Sequence, residues 1–331
     1  MSGVCQGRVV TTIASGGSAG GLMTLSGTKL YVQLVGRGVI SGMSVFEGAT
    51  DGSEPNGALI AGALSNVPLD GKLYWQTMAA DVSSYTISSC SIASCSTTIA
   101  PLVARGLVSG SIQVFVSAIV ADPTNHQLVV FEQQQIGSLF AEQFILRINT
   151  NGTVQQVAQV GNPAQGTIYT PNNRPDRFFW FNQASTTFVP TYLPTSNTGG
   201  VPIPLLPTGQ AGLAQRFFAS DTTAVWVNYD TSFANPITSS VPLPNGIVSG
   251  NPTLLYTGFF DGVIDNSNAF GSFLPAGAGS TDAVSRCALS GCTPVAIARG
   301  QNGQSSFLTD STQVYWLNFA STTIQVYAAV K

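Results

Sequence analysis

The sequence predicts an all-β fold. Short runs rich in Val, Ile, Thr, Tyr and Phe recur along the 331 residues, and clusters of Gly, Pro, Asn and Ser separate them. No stretch sustains apolar residues at the i, i+3, i+4 and i+7 positions of an amphipathic helix. The 35 glycines and 18 prolines supply the turns that many short strands need.

The composition excludes several classes of function. Asp, Glu, Lys and Arg make up 8% of the chain, against about 25% in an ordinary soluble domain. The formal net charge is −3, so a nucleic-acid partner is not expected. No apolar run is long enough for a membrane-spanning helix. The single histidine, His126, argues against histidine-dependent catalysis and multi-histidine metal sites.

A repeated motif organises the whole chain. Two apolar or aromatic residues precede each of the four tryptophans, and degenerate copies of the motif raise the number of units to seven. The residues that mark the units are Tyr31, Tyr74, Val129, Phe179, Val225, Phe270 and Tyr315. An aspartate lies shortly before the marker in six units, at Asp70, Asp122, Asp176, Asp221, Asp265 and Asp310. Each unit has room for four strands.

Four strands at this period predict a blade of a β-propeller. We therefore expect a single domain, residues 1–331, that forms a seven-bladed propeller of four-stranded blades. The last unit has sequence for only one strand after Trp316, at residues 324–330. The N-terminal strand, residues 8–15, resembles the missing fourth strand. We expect it to complete the last blade and close the ring, which removes the exposed edges of an open sheet.

The unit resembles the YWTD-type propeller repeat. Its pattern of Asp, spacer and Tyr-Trp-x-Asn is met from Asp310 to Asn318. The stretch from Arg286 to Cys292 resembles cysteine-bearing copies of this repeat in secreted bacterial proteins. YWTD rings usually have six blades, and the seven units of this chain depart from that number. The resemblance implies a fold and a binding scaffold, because such rings serve many functions.

Five cysteines predict an oxidising compartment. Two C-x4-C pairs, Cys90 with Cys95 and Cys287 with Cys292, bracket the same turn in units two and six. Disulfides fit this spacing, whereas a shared four-thiolate zinc site would need units that lie far apart on a ring. We expect a periplasmic or secreted protein whose leader has been removed, with a cytosolic protein with reduced thiols as the alternative. Cys5 has no predicted partner within the chain.

Residues that recur in every blade are expected to serve the scaffold. We predict that Trp75, Trp180, Trp226 and Trp316 pack between blades; the alternative is a ring of aromatic residues that stack on sugars. The repeated aspartates are expected to bond the backbone of their own turns. His126 follows such a turn and is expected to be solvated.

Charged residues that do not recur are the candidates for ligand contacts. Ligands of propellers usually bind where the loops between the second and third strands and between the fourth and first strands gather around the channel. Two candidates start first strands near the channel axis, Arg216 and Asp261. The predicted second-to-third-strand loops include Glu132 to Glu142 and Gly271 to Asp282. The other candidates lie in loops of this kind, and these are Arg37, Asp81, Glu132, Glu142, Asp230 and Asp282.

The leading functional hypothesis is an extracytoplasmic binding or scaffold module that recognises a protein or a glycan at the channel mouth. The first alternative is a propeller enzyme, a hydrolase, lyase or cyclase, that uses the unrepeated charged residues. The second is a lectin with repeated sites between blades. The sequence holds no mechanistic motif, so binding is favoured and no catalytic residue is assigned. No cofactor is expected, although calcium in the central channel is an open possibility. We expect a monomer.

Overall fold

The computed structural model describes most of the chain. The described residues are 8–14, 21–34, 44–49, 57–61, 64–108, 110–137, 139–161, 177–184, 187–194, 203–204, 213–229, 235–243, 250–278, 281–301, 303–319 and 323–331. They are almost entirely β-structure, with one short 3-10 helix at Ile92–Thr97. None of their helical structure is long and apolar enough to cross a membrane.

The strands alternate with tight turns along the described chain. In chain order they are β1 (Arg8–Ala14), β2 (Gly21–Ser26), β3 (Lys29–Leu34), β4 (Ser44–Ala49), β5 (Gly57–Ala61), β6 (Leu64–Leu69), β7 (Lys72–Met78), β8 (Ser84–Ser91), β9 (Ala100–Gly106), β10 (Gln113–Asp122), β11 (Gln127–Ile136), β12 (Leu139–Asn149), β13 (Val154–Gly161), β14 (Arg177–Ala184), β15 (Thr187–Pro194), β16 (Ile203–Pro204), β17 (Leu213–Ala219), β18 (Thr223–Tyr229), β19 (Ile237–Pro242), β20 (Thr253–Tyr256), β21 (Gly258–Ile264), β22 (Asn268–Pro275), β23 (Ala283–Ala288), β24 (Val295–Arg299), β25 (Gln304–Thr309), β26 (Gln313–Phe319) and β27 (Thr323–Val330).

The chain divides into two compact units. The first comprises Met1–Ala61 with Gln210–Lys331. It contains three antiparallel meanders, β2–β5, β17–β20 and β21–β24, and a fourth sheet in the order β1-β27-β26-β25. In that sheet the N-terminal strand pairs antiparallel with β27, and Ile13 lies opposite Ile324.

The second unit comprises Gly62–Gly209. It contains two four-stranded meanders, β6–β9 and β10–β13, and a three-stranded sheet, β14–β16. The described residues of both units thus form six sheets of four strands and one of three. The all-β meander predicted from the sequence is confirmed, whereas the prediction of four strands in all seven sheets is met only in part.

The cores lie between consecutive sheets of each unit. In the second unit, Tyr74 and Ile87 of β6–β9 pack against Leu128, Val130 and Leu146 of β10–β13. Separate clusters join β17–β20 to β21–β24, β21–β24 to the last sheet, and the last sheet to β2–β5. Burying both faces of a sheet in this way favours the aromatic and β-branched residues that the sequence repeats.

The tryptophans serve the core. Trp75, Trp226 and Trp316 are buried to 2% exposure or less, which confirms the packing prediction and excludes sugar stacking at these positions. The Trp316 indole stacks on Tyr327 at 5.8 Å and donates a hydrogen bond of 3.0 Å to the side chain of Gln301. The Trp226 indole N–H has no hydrogen-bond partner among the described residues. The side chain of Trp180 lies outside the described residues.

Three of the repeated turn aspartates behave as predicted, and Asp176 lies outside the described residues. Asp122, Asp265 and Asp310 each accept a hydrogen bond from the amide of a residue that follows in the same turn. Asp70 differs, because its carboxylate contacts Nδ1 of His126 at 2.8 Å. The His126 side chain is 70% exposed, in agreement with a solvated turn position.

Both predicted disulfides are present. Cys90 is bonded to Cys95 and Cys287 to Cys292, and their Cα atoms lie 4.8 and 5.0 Å apart. Each bond closes the turn between the third and fourth strands of its sheet. Such bonds indicate an oxidising environment. Cys5 lies outside the described residues.

The two indoles allow a test of packing against hydrogen bonding. Trp316→Ala and Trp226→Ala should each lower the free energy of unfolding by about 3–5 kcal/mol. Trp316→Phe should cost about 1 kcal/mol more than Trp226→Phe, because only the former breaks a buried hydrogen bond. Urea denaturation measures both differences. Equal losses for the two phenylalanine variants would contradict a stabilising role for the Gln301 contact.

The disulfides predict the reactivity of the thiols. In protein made under oxidising conditions, Cys90, Cys95, Cys287 and Cys292 should resist alkylation until a reductant is added. Mass spectrometry of digested, alkylated protein measures this residue by residue. Labelling of any of the four before reduction would contradict the bond at that site.

Candidate functional site

The structure describes the side chains of five of the eight candidate residues. Arg216, Asp261 and Asp282 belong to the first unit, and Asp81 and Glu132 to the second. Glu142 lies in β12, but its side chain is outside the described residues. Arg37 and Asp230 also lie outside them. Among the candidates whose side chains are described, the structure brings together one pair, Arg216 and Asp261.

Arg216 and Asp261 lie on the first strands of two consecutive sheets. Arg216 is in β17 opposite Val227, and Asp261 is in β21 opposite Ser272. The Nε atom of Arg216 lies 3.6 Å from Oδ1 of Asp261. The two side chains are 48% and 30% exposed, respectively. The sequence thus places two opposite charges side by side at an edge that solvent reaches.

This ion pair is long. At 3.6 Å the Nε–Oδ1 contact is an ion pair without a hydrogen bond. Among the described residues, neither side chain has a hydrogen-bond partner. Arg216 can donate five hydrogen bonds and a carboxylate can accept several. Burial raises the pKa of Asp261, although the positive charge of Arg216 lowers it in part. A carboxylate in this setting is a better proton acceptor than an ordinary aspartate.

Two glycines hold the backbone beside Asp261. Gly262 and Gly271 lie directly opposite each other in the β21–β22 ladder. A Cβ atom on Gly271 would overlap the carbonyl oxygen of Asp261, and one on Gly262 would overlap the carbonyl oxygen of Phe270. Only glycine therefore allows the two strands to approach so closely at this point.

Two half-buried aromatic residues lie at the same end of these sheets. Tyr229 ends β18, and Phe259 is the second residue of β21. Their ring centroids are 6.1 Å apart, with the planes tilted by 46°. Val227, which lies opposite Arg216, precedes Tyr229 by two residues. The side chains of Arg216, Val227 and Tyr229 therefore lie on one face of the β17–β20 sheet.

Glu132 is buried in a saturated network. The sequence analysis placed it in a variable loop from 132 to 142, and this is wrong, because β11 continues to Ile136 and β12 begins at Leu139. Its side chain is 0% exposed. It accepts hydrogen bonds from Tyr85 at 2.7 Å, from Arg105 at 2.6 and 3.1 Å and from Gln134 at 2.9 Å. Tyr85 and Arg105 belong to β6–β9, so the network ties that sheet to β10–β13.

The electrostatics of Glu132 are those of a structural ion pair. Burial raises the pKa of this carboxyl, but the hydrogen bonds from Arg105, Gln134 and Tyr85 outweigh burial and hold it below its usual range. Burial and the neighbouring carboxylate raise the pKa of Tyr85. The phenol therefore stays a neutral donor and Glu132 a charged acceptor.

The remaining described candidates show no such convergence. The carboxylate of exposed Asp81 accepts hydrogen bonds from the amide and the hydroxyl of Ser83, and these bonds lower its pKa. Asp282 is exposed, and its carbonyl accepts the amide of Gln301. The loop predicted from Gly271 to Asp282 is shorter than expected, because β22 extends to Pro275. No cluster of three or more His, Cys, Asp and Glu residues within the described ranges could hold a metal ion.

Sequence reasoning missed the partners that define these two centres. Tyr85 and Arg105 were overlooked because nothing near them in sequence signals a buried glutamate. Phe259 and the glycine pair were overlooked as ordinary strand residues. The glycines offered a usable signal, since Asp261-Gly262 and Phe270-Gly271 place glycine inside two consecutive strands, which marks a close backbone approach.

Solved structures of low sequence identity share the fold. A puromycin-hydrolyzing peptidase from Mycobacterium tuberculosis superposes with a TM-score of 0.62 at 9% identity, over 95% of this chain and 53% of the peptidase. Oligogalacturonate lyase from Vibrio parahaemolyticus gives 0.59 at 9% identity, over 98% of both chains. The β-propeller domain of the Trilobed protease from Pyrococcus furiosus, reported with an open velcro topology, gives 0.58 at 8% identity, over 93% and 95%.

The chain is an all-β protein with a β-propeller fold, as the superpositions show. It spans about half of the length of the peptidase. No protein-family model and no curated protein sequence matches it. The neighbours include a lyase and proteases, and at 8–9% identity their similarity to this chain establishes the fold alone.

The contrast between the two ion pairs predicts opposite effects on stability. Glu132→Gln should lower the free energy of unfolding by about 3 kcal/mol at neutral pH, because it leaves Arg105 without its partner in a buried site. Asp261→Asn should leave stability unchanged or raise it slightly, because burial disfavours the charged form of Asp261. The control Asp282→Asn, at an exposed position, should stay within about 0.5 kcal/mol.

The pH dependence of the Glu132 effect follows from its lowered pKa. The stabilisation is fully present above the carboxyl pKa of the unfolded chain, and it is lost as the pH falls through the lower pKa of the folded state. Urea titrations of the wild type and Glu132→Gln at several pH values should therefore converge in acid. A constant difference down to strongly acidic pH would contradict the assignment.

Proposed function

We propose that this chain is an extracytoplasmic propeller enzyme that acts on a carboxylate-bearing substrate at Arg216 and Asp261. The observation that carries the proposal is the contrast between its two best-defined ion pairs. Glu132 is fully bonded and buried, whereas Arg216 and Asp261 lie 3.6 Å apart, half-exposed, with their hydrogen-bonding groups unsatisfied within the described residues. Unsatisfied opposite charges on first strands are suited to engage a ligand rather than each other.

The proposed roles follow from the chemistry of the two groups. The guanidinium of Arg216 would bind the carboxylate of the substrate and withdraw negative charge from it. Asp261, whose pKa is raised by burial, would accept a proton from a neighbouring carbon or water. In an elimination, Asp261 would take the proton from the carbon that bears the carboxylate, and a double bond would form to the next carbon. The oxygen substituent on that next carbon would leave and take up a proton from water. The similarity in fold to oligogalacturonate lyase over 98% of both chains supports a lyase before a hydrolase or cyclase.

A second candidate is the binding module that the sequence analysis favoured. Its support is that Asp261 is the one carboxylate near Arg216 among the described residues, without the second carboxyl group that many hydrolases use. In that case the same pair would bind an acidic protein or glycan without converting it. The two candidates share the ligand chemistry and differ in turnover.

The proposal also covers the blade number, the closure of the ring, the location of the protein and its oligomeric state. We take each of the seven sheets as a blade, so that residues 1–331 form one seven-bladed domain of YWTD-like repeats. The pairing of β1 with β27 supports a ring closed by the N-terminal strand. The disulfides support a periplasmic or secreted location. The proposal includes a monomer that needs no cofactor, with calcium in the channel as the alternative.

Two variants test the site. Arg216→Ala should weaken binding of acidic ligands about 10- to 100-fold, the loss of a charge-assisted hydrogen bond. Asp261→Asn should bind within about threefold of wild type but lose turnover. Calorimetry measures binding, and the ultraviolet absorbance of a new carbon–carbon double bond measures elimination. The panel pairs acidic oligosaccharides and acidic peptides with neutral counterparts, and Asp282→Asn is the control for a lost exposed carboxylate.

The outcomes separate the candidates. Turnover that Asp261→Asn abolishes supports the enzyme. Binding without turnover, lost in Arg216→Ala, supports the module instead. Wild-type affinity of Arg216→Ala for every acidic ligand that the protein binds would overturn both.

A further inference from the structure

Tyr229 and Phe259 form an aromatic surface beside the charged pair. Both rings are half-buried, so each keeps part of its surface exposed. They contact each other across two sheets, with centroids 6.1 Å apart. Arg216 belongs to the strand pair β17–β18 and Asp261 to the strand pair β21–β22, and Nε of Arg216 lies 3.6 Å from Oδ1 of Asp261. One end of two neighbouring sheets thus presents a cation, an anion and two aromatic rings.

The position of these rings is set by the same register that sets the charges. Arg216 lies opposite Val227, and Tyr229 is two residues further along that strand on the same face. Phe259 precedes Asp261 by two residues and shares a side of β21 with it. The positive charge of Arg216 also acts on the Tyr229 hydroxyl, whose pKa is raised by burial and lowered in part by Arg216. The aromatic and charged groups are therefore close enough to contact one small ligand.

We infer that Tyr229 and Phe259 form a platform for the ring of an acidic sugar, and that the substrate class is a uronate-containing oligosaccharide. This inference rests on the proposed function and narrows its ligand. A uronate combines a flat, apolar ring face with a carboxylate fixed to the same ring. Aromatic side chains that are partly buried and partly exposed to solvent can pack against such faces. A few polar groups at fixed positions then orient the ligand. An acidic peptide offers the carboxylate on a flexible stem without the ring.

Aromatic packing holds the strand that carries Asp261. Phe260, next to Asp261, packs on Phe218 and Phe273 with centroids 4.8 Å away in both cases. The Phe218 contact joins β21 to β17, whereas Phe273 lies opposite Phe260 within the β21–β22 ladder. The charged groups and the Tyr229–Phe259 surface are then held in place before a ligand arrives, which reduces the entropy lost on binding.

The test uses trigalacturonate and triglutamate as probes of equal charge. Wild type should bind trigalacturonate at least tenfold more tightly than triglutamate in calorimetry. Tyr229→Ala should weaken trigalacturonate binding about tenfold, and Tyr229→Phe should stay within about threefold because it keeps the ring. Phe259→Leu provides a second variant that keeps apolar volume but removes the ring. Tyr327→Ala, a half-buried tyrosine in another cluster, should bind like wild type.

The outcomes distinguish this inference from the proposed function. The inference would be overturned if the wild type bound the two probes equally. It would also be overturned if Tyr229→Ala and Phe259→Leu both bound trigalacturonate like the wild type. In either case, weaker binding of acidic ligands by Arg216→Ala would still support the proposed function. Thermal denaturation confirms that each variant is folded. If Tyr229→Ala is not folded, the comparison of Phe259→Leu with Tyr229→Phe decides the question.

Discussion

The structure depends on one constraint: a four-stranded sheet with two apolar faces is stable in water only if neighbouring sheets cover both faces. Strand β21 illustrates this, because Phe260 belongs to the core shared with β17–β20, whereas Val263 belongs to the core shared with the last sheet. A fold of this kind must repeat, since an unpaired face would remain exposed. The same constraint accounts for a chain in which 8% of the residues are charged, because the faces of the sheets offer few places where a charge remains hydrated.

A charged side chain near these cores is either fully hydrogen-bonded or partly exposed to solvent, and the chain contains one carboxylate of each kind. Glu132 is dehydrated but fully bonded, so that it acts as a fixed tie between two sheets. Asp261 keeps partial exposure and a cation at 3.6 Å, but its carboxylate accepts no hydrogen bond from another described residue to offset its burial. A carboxylate held in this way carries a stability cost, which proteins commonly accept at functional sites. The glycine pair beside Asp261 maintains that geometry.

The repeated features could be predicted from the sequence, and the features that depend on distant partners could not. The tryptophans and turn aspartates recur at one position of each unit, so that their common role was readable from the pattern. Arg216 and Asp261 lie 45 residues apart, the same interval as their unit markers Val225 and Phe270, so their equivalent positions were also readable. Glu132 was misplaced in a loop, since its burial depends on Tyr85 and Arg105, which lie 47 and 27 residues away. Polar residues within β11 resemble a loop until those partners are known.

The most direct test of this account is the pKa of Asp261, measured by NMR titration of its carboxyl carbon in the wild type and in Arg216→Met. The account predicts a wild-type pKa above the value of about 3.9 for an unperturbed aspartate, since burial outweighs the attraction of Arg216. It predicts a further rise in Arg216→Met, since removal of the cation leaves burial unopposed. A wild-type pKa at or below about 3.9, or no change in Arg216→Met, would contradict a partly buried carboxylate coupled to Arg216 as the centre of the site.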